Sequence, residues 1–231
     1  MVMRFFTSMI AALILAAVLT APAAAADSNV FLKATVGGSY PFMPNLNNEL
    51  KTQGRCELSP GLSFSMSIGR AFSQHKWALE LWFDFARYQS FTYENDYESF
   101  EGEMTHYNFM LVGKRNLWPS NEIFRPYLGA GFGYGYTNIA RAGGKIDGLQ
   151  GMLIFQVESR IKDNLTLFME TSFLTTFDNS KYDSSFLESS DYDAIFDSNG
   201  DPLNERFSSI DLRIGIQAWL KPPSKYGDYE R

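Results

Sequence analysis

Ser59-Pro60-Gly61-Leu62-Ser63-Phe64-Ser65-Met66-Ser67-Ile68-Gly69-Arg70 is the stretch that decides the fold. Leu62, Phe64, Met66 and Ile68 fall on one side of an extended chain. Ser63, Ser65, Ser67 and Gly69 fall on the other. Successive Cβ atoms of a strand point to opposite faces, so period two over this length specifies a β-strand. One face is apolar, and the other is built almost entirely from small polar groups.

The same alternation recurs on both sides of that stretch. It runs through 30–40, 76–88, 104–115, 125–136, 149–161, 165–176 and 208–220, giving eight strands of about 11–13 residues. Soluble strands average about 5–6 residues, whereas a strand crossing a bilayer needs about 9–11. The connections alternate too. Those over 71–75, 116–124 and 162–164 are short, and those over 41–58, 89–103, 137–148 and 177–207 are longer. This pattern predicts an all-β fold: an eight-stranded antiparallel up-and-down transmembrane β-barrel with short periplasmic turns and long extracellular loops. An even strand count puts both ends of the barrel on the periplasmic side.

Alternation alone does not say which face looks inward. A soluble barrel turns its apolar face in, and a membrane barrel turns it out. Two features favour the membrane. The polar face is rich in Ser and Gly and poor in Lys, which suits a narrow lumen better than a solvated exterior. Aromatic residues also gather at two levels, as bilayer interfaces select. Trp77, Trp118, Phe124 and Trp219 lie near the short-turn end, although Trp219 has the polar parity of its strand. Tyr40, Phe85, Tyr134, Tyr136 and Phe173 lie near the long-loop end.

Residues 1–26 have the layout of a secretory signal: a basic start at Arg4, an apolar run over 5–19, Pro22, then Ala24-Ala25-Ala26 before Asp27. The expected organisation is a signal peptide over 1–26, the barrel over 27–220 and a periplasmic tail over 221–231. Export to a bacterial outer membrane follows. Aromatic residues make up 16% of the chain, too many for disorder along its whole length. One cysteine, Cys56, excludes an internal disulfide framework, and two histidines, His75 and His106, exclude a His-rich metal cage. A net charge of −6 makes nucleic acid a poor partner.

Arg125–Tyr136, R-P-Y-L-G-A-G-F-G-Y-G-Y, resembles a P-Y-L-G-A-G-x-G-Y segment of small Gram-negative outer-membrane proteins. That family covers OmpA-like transmembrane domains, opacity-type antigens and small porin-family barrels. The strand, Lys-Asp-Asn turn and strand over 156–173 is similar to the family's penultimate hairpin. The last strand resembles the signal read by the barrel-assembly machinery, here carried by Arg213, Gly215, Ala218 and Leu220. Family members usually end on an aromatic residue, whereas 221–231 follows here. The resemblance implies the fold and a surface location, and no specific activity.

Several constellations bear on chemistry. The lumen face collects Glu80, Asp84, Glu158, Glu170 and Asp211 against Lys33, Lys114, Arg160 and Arg213. Charges in a narrow interior must pair or stay wet. An ion-pair network is therefore expected, with Glu170–Arg213 and Glu80–Lys114 as its leading pairs. A gated pore is the alternative, although an eight-stranded barrel is just wide enough to be filled by side chains. Asp84, His106 and Ser63 would be the acid, base and nucleophile of a lipid-modifying enzyme, but triads are recognised by geometry and no such spacing is readable. The glycines at 129, 131, 133 and 135 fail G-x-G-x-x-G and read as room for Trp82 and Tyr127.

Half of the 26 acids fall in the connections over 89–103 and 177–207. Asp197, Asn199 and Asp201 resemble part of a calcium loop that lacks its terminal Glu. The expected protein is a non-enzymatic monomer without cofactor. Its partners are outer-membrane lipid, lipopolysaccharide and the assembly machinery, with an extracellular protein or host ligand at the acidic, aromatic loops.

Overall fold

The computed structural model describes residues 29–44, 59–72, 75–95, 98–121, 123–140, 144–177 and 206–220. Eight strands run in chain order: β1 (Val30–Pro41), β2 (Gly61–Phe72), β3 (Trp77–Asn95), β4 (Glu98–Asn116), β5 (Phe124–Ala140), β6 (Gly144–Lys162), β7 (Leu165–Thr176) and β8 (Ser208–Trp219). Each pairs antiparallel with the next, and β8 returns to β1, closing the barrel. Closure satisfies every ladder without leaving an edge, as a bilayer core requires.

Burial settles the orientation of the wall. The Ser/Gly face of β2 is inside, with Ser63 and Ser65 buried, while Leu62, Phe64 and Met66 are exposed. The same inversion holds on β8, where Ile210, Leu212, Ile214 and Ile216 point out and Asp211, Arg213 and Gln217 point in. Such an apolar exterior is stable only in lipid. Trp77, Trp118 and Phe124 are exposed at one end and Tyr40, Tyr134 and Phe173 at the other, so aromatic girdles bracket an aliphatic band.

Trp219 corrects the girdle reading. It is buried, and its indole lies 5.0 Å from the ring of Phe31 inside the barrel. Its polar parity, not its residue type, gives its direction.

The strands also differ in length from the alternation. Loops are expected over 89–103 and 137–148. Instead β3 and β4 are 19 residues each, and β5 and β6 are 17 and 19, against 12 for the other four. Beyond the bilayer both faces of a hairpin meet water, so apolar alternation lapses while the ladder continues. A register shift between Tyr88 and Phe91 marks the break in β3, where a bulge separates the wall from its extension.

Candidate functional site

Among the described residues, the lumen is where the fold converges charged side chains. Near the short turns, the ring of Phe31 and the indole of Trp219 fill the cross-section. His75 leans on the same indole edge-on, with ring centres 5.0 Å apart. The Trp219 Nε1–H donates to Thr166 Oγ1 at 3.2 Å. His75 sits in the β2–β3 turn with φ 64°, and its Nδ1 is buried without a hydrogen bond. Burial, with Arg125 and Arg160 nearby, pushes its pKa down to about 4. The ring is neutral at pH 7.

The next level is a lysine–glutamate cluster. Glu80 accepts from Lys33 Nζ at 3.1 Å and is in contact with Lys114 Nζ. Ser67 Oγ donates to the other Glu80 oxygen at 3.0 Å. Gln156 ties the cluster together. Its Oε1 accepts from Lys33 at 2.6 Å and from Lys114 at 2.7 Å, and its Nε2 donates to Glu158 at 2.6 Å. Lys33 also reaches Glu158 at 4.0 Å. Parity places Gln156 in the lumen, but a neutral amide gives no sign in sequence that it joins two ammonium groups to one carboxylate.

Above it, Arg213 is the centre of a second cluster. Its guanidinium meets Asp84 at 2.7 Å, Asp211 at 3.2 Å and Glu170 at 3.3 Å, and it also donates to Ser172 Oγ at 2.8 Å. Glu170 and Arg213 face each other across the β7–β8 ladder. The Trp82 ring lies between the two clusters, 5.5 Å from Lys114 Nζ and 5.5 Å from Arg213 Cζ. Such cation–π contacts retain attraction once the cations are dry.

Arg160 does not join either cluster. It has lumen parity, but it sits near the end of β6 and pairs with Asp163 of the following turn at 3.2 Å. The reason is level: parity fixes the face of a strand and says nothing of height along the barrel. Among the described residues the two clusters thus hold five carboxylates against three cations.

The extracellular end is closed by apolar groups. Phe207 stacks on His106 with centroids 4.1 Å apart, and Tyr88, Met43, Met104 and Leu174 complete a buried cluster. Phe207 and Met43 come from the borders of the long connections and dip into the mouth. The backbone fixes both borders: Phe42 N donates to Ser208 O at 2.7 Å, and Thr176 N donates to Phe207 O at 2.8 Å. Sequence reasoning leaves Phe207 and Met43 in loops, since they lie outside the alternation that marks the wall.

Asp84, His106 and Ser63 are not assembled as a triad. Asn108 lies between the first two, 3.5 Å from Asp84 Oδ2 and 3.3 Å from His106 Nε2, and His106 Nδ1 is bonded to Thr137 Oγ1 at 2.8 Å. Ser63 shares a row with Ala86 and His106, so β3 separates the hydroxyl from the imidazole.

The glycines of β5 make room for neighbours other than those expected. A Cβ on Gly129 would fall 2.5 Å from Lys114 Cγ, and one on Gly131 would fall 2.9 Å from Val112 Cγ2. The atoms that such Cβ groups would meet first belong to residues other than Trp82 and Tyr127. The final strand splits its four assembly-signal residues: Arg213 and Gly215 face the lumen, while Ala218 and Leu220 face out. A Cβ on Gly215 would fall 2.7 Å from Phe168 Cζ, so this position has no room for a side chain.

Asp197, Asn199, Asp201, Cys56, residues 1–26 and the tail over 221–231 lie outside the described residues. Among the described residues no group of three or more His, Cys, Asp or Glu is arranged for a metal.

Comparison with known proteins agrees with this architecture. The family model for the outer membrane protein beta-barrel domain matches residues 11–186. The crystal structure of Neisserial surface protein A is similar at 13% identity and TM-score 0.51, covering 83% of this chain and 97% of that one. The outer membrane protein OprG of Pseudomonas aeruginosa is similar at 12% identity and TM-score 0.50, covering 84% and 97%. No curated protein matches by sequence.

Proposed function

Since this chain belongs to the outer membrane protein beta-barrel domain family, we propose that it is a plugged wall element that acts through its extracellular surface. The observation that carries the reading is the filled lumen. Phe31 and Trp219 occupy one end, two ion-pair clusters the middle and the Phe207–His106 stack the other end. A channel would require both ends to clear, so passage of solutes is the weaker use of this interior. What the barrel offers instead is a pair of hairpins, β3–β4 and β5–β6, longer than the wall needs. The segment over 89–103 holds five acids and no base. Its charge suits a basic protein ligand and repels the anionic lipopolysaccharide around it. Residues 1–26 direct export and are removed, and the assembly machinery inserts the barrel by its last strand.

Planar-bilayer conductance of the refolded protein, beside gel mobility before and after boiling, tests this. A heat-modifiable band without resolved openings is expected. Discrete openings would replace the plugged reading with a channel. In a paired assay, a polylysine probe binds the wild type and binds severalfold more weakly when the five acids over 89–103 become Asn or Gln, the eight acids over 177–207 remaining.

A further inference from the structure

We propose that the lipid-facing wall of β2–β4, at the periplasmic end, is a binding site for an anionic phospholipid. The headgroup phosphate sits between Arg70 and Arg115, and an acyl chain lies over Gly113 and Ala130. Both arginines are exposed and have the outward parity of their strands. Each guanidinium is held against the aromatic girdle, Arg70 5.4 Å from the Phe72 ring centre and Arg115 5.3 Å from the Trp77 ring centre. Phe72, Trp77 and Arg115 form one row across the wall, and Arg70, Leu79 and Gly113 form the next. Strands lie about 4.8 Å apart and rise about 3.4 Å per residue, so the two arginine Cα atoms, two strands and one outward row apart, are separated by about 12 Å across β3. That span suits a phosphodiester gripped from both sides, and a guanidinium supplies planar paired donors for it.

The wall beside the arginines is shaped as well as charged. Gly113 pairs with Ala130, one row above Arg115 and Leu128. A Cβ built on Gly113 would meet nothing within 4 Å. A glycine and an alanine thus lie side by side and leave a depression in this part of the apolar wall. No carboxylate occupies an outward position from the row of Leu62, Arg87 and Thr105 to the row of Phe72, Trp77 and Arg115. The far side of the barrel differs at the same end. Leu167, Ile216, Ala218 and Leu220 face outward there, and the one base beside them, Lys162 at the end of β6, has no second arginine or lysine across a neighbouring strand of the described wall. A general attraction to lipid would not produce this asymmetry. The site lies on the short-turn side, where the leaflet is phospholipid and not lipopolysaccharide.

Native mass spectrometry of the refolded, detergent-solubilised full chain tests the proposal, with phosphatidylglycerol or phosphatidylcholine added. Gel mobility before and after boiling verifies that each variant is folded. The wild type should retain phosphatidylglycerol at least tenfold better than phosphatidylcholine, and R70Q/R115Q should lose that preference. G113L should weaken retention several-fold without altering charge, and A130L serves the same purpose should G113L not fold. K162Q, which removes a base elsewhere at this end, should retain the wild-type preference. Equal retention of the two lipids by the wild type would overturn the site. So would a preference that survives R70Q/R115Q, falls equally with K162Q, or is abolished by millimolar inorganic phosphate.

Discussion

Replacing Arg213 by Met removes one charge and keeps a long stem against Trp82. In the wild type that guanidinium serves Asp84 at 2.7 Å, Asp211 at 3.2 Å and Glu170 at 3.3 Å, all buried. Removing one partner of a single buried ion pair costs about 3–5 kcal/mol, because the other charge is left dry and unpaired. Three carboxylates depend on this cation, so the cost should lie at the upper end, about 5 kcal/mol. Asp211 keeps Ser172 Oγ at 3.0 Å, whereas the Glu170 oxygens have no hydrogen bond of their own. The most damaging orphan is therefore Glu170. Adding E170Q to R213M should recover about 2 kcal/mol, within the coupling expected for contacting residues. E170Q alone should change stability by less than about 1 kcal/mol, since the lumen already has more acids than bases. Equilibrium urea unfolding in phospholipid vesicles, followed by tryptophan emission and gel mobility, measures all four proteins. R213M within about 1 kcal/mol of wild type would refute the view that this cation holds the middle of the barrel.

Three further outcomes follow from the geometry. Stability should fall between pH 6.5 and 4 through His75, because the unfolded imidazole takes up a proton there while the folded one, with its pKa near 4, does not. The loss is bounded by about 3 kcal/mol, is absent above pH 7, and should disappear in H75Q when wild type and variant are unfolded at pH 7.5 and 4.5. F207A should cost about 3–5 kcal/mol and uncover His106, read as new carbethoxylation of that residue by mass spectrometry. G215V should destabilise by about 1–3 kcal/mol through collision with Phe168 and the β1 backbone, with F168L restoring part of the heat-modifiable fraction.

Much of the wall is legible because a bilayer imposes period two on every crossing strand. Leu62 to Ile68 and Ile210 to Ile216 declare their face without any tertiary information. The same parity sends Trp219 inward, although its residue type suggests a girdle. Height along the barrel is not encoded that way. Arg160 shares the parity of Glu158 yet pairs at the turn with Asp163. Lateral partners across a hairpin are readable from turn position, and both Glu170–Arg213 and Glu80–Lys114 are in contact. Partners across the lumen are not, because Lys33 with Gln156 and Arg213 with Asp84 are brought together only by closure. The extended hairpins were hidden for the opposite reason: outside lipid nothing demands an apolar face, so a continuing ladder looks like a loop.

The meeting of β1 with β8 leaves the two ends of the wall as neighbours. Leu220 N donates to Val30 O at 3.0 Å. A ring of strands has no intrinsic first member, and a short linker could join these ends while the chain is reopened at the tip of the β3–β4 hairpin. Such a permuted chain would form the same cylinder with β3 as its final strand, while Arg213, Gly215, Ala218 and Leu220 moved to the interior of the sequence. Its behaviour would separate two properties that coincide in the natural order: carrying the residues that an insertion apparatus reads, and being the strand that arrives last.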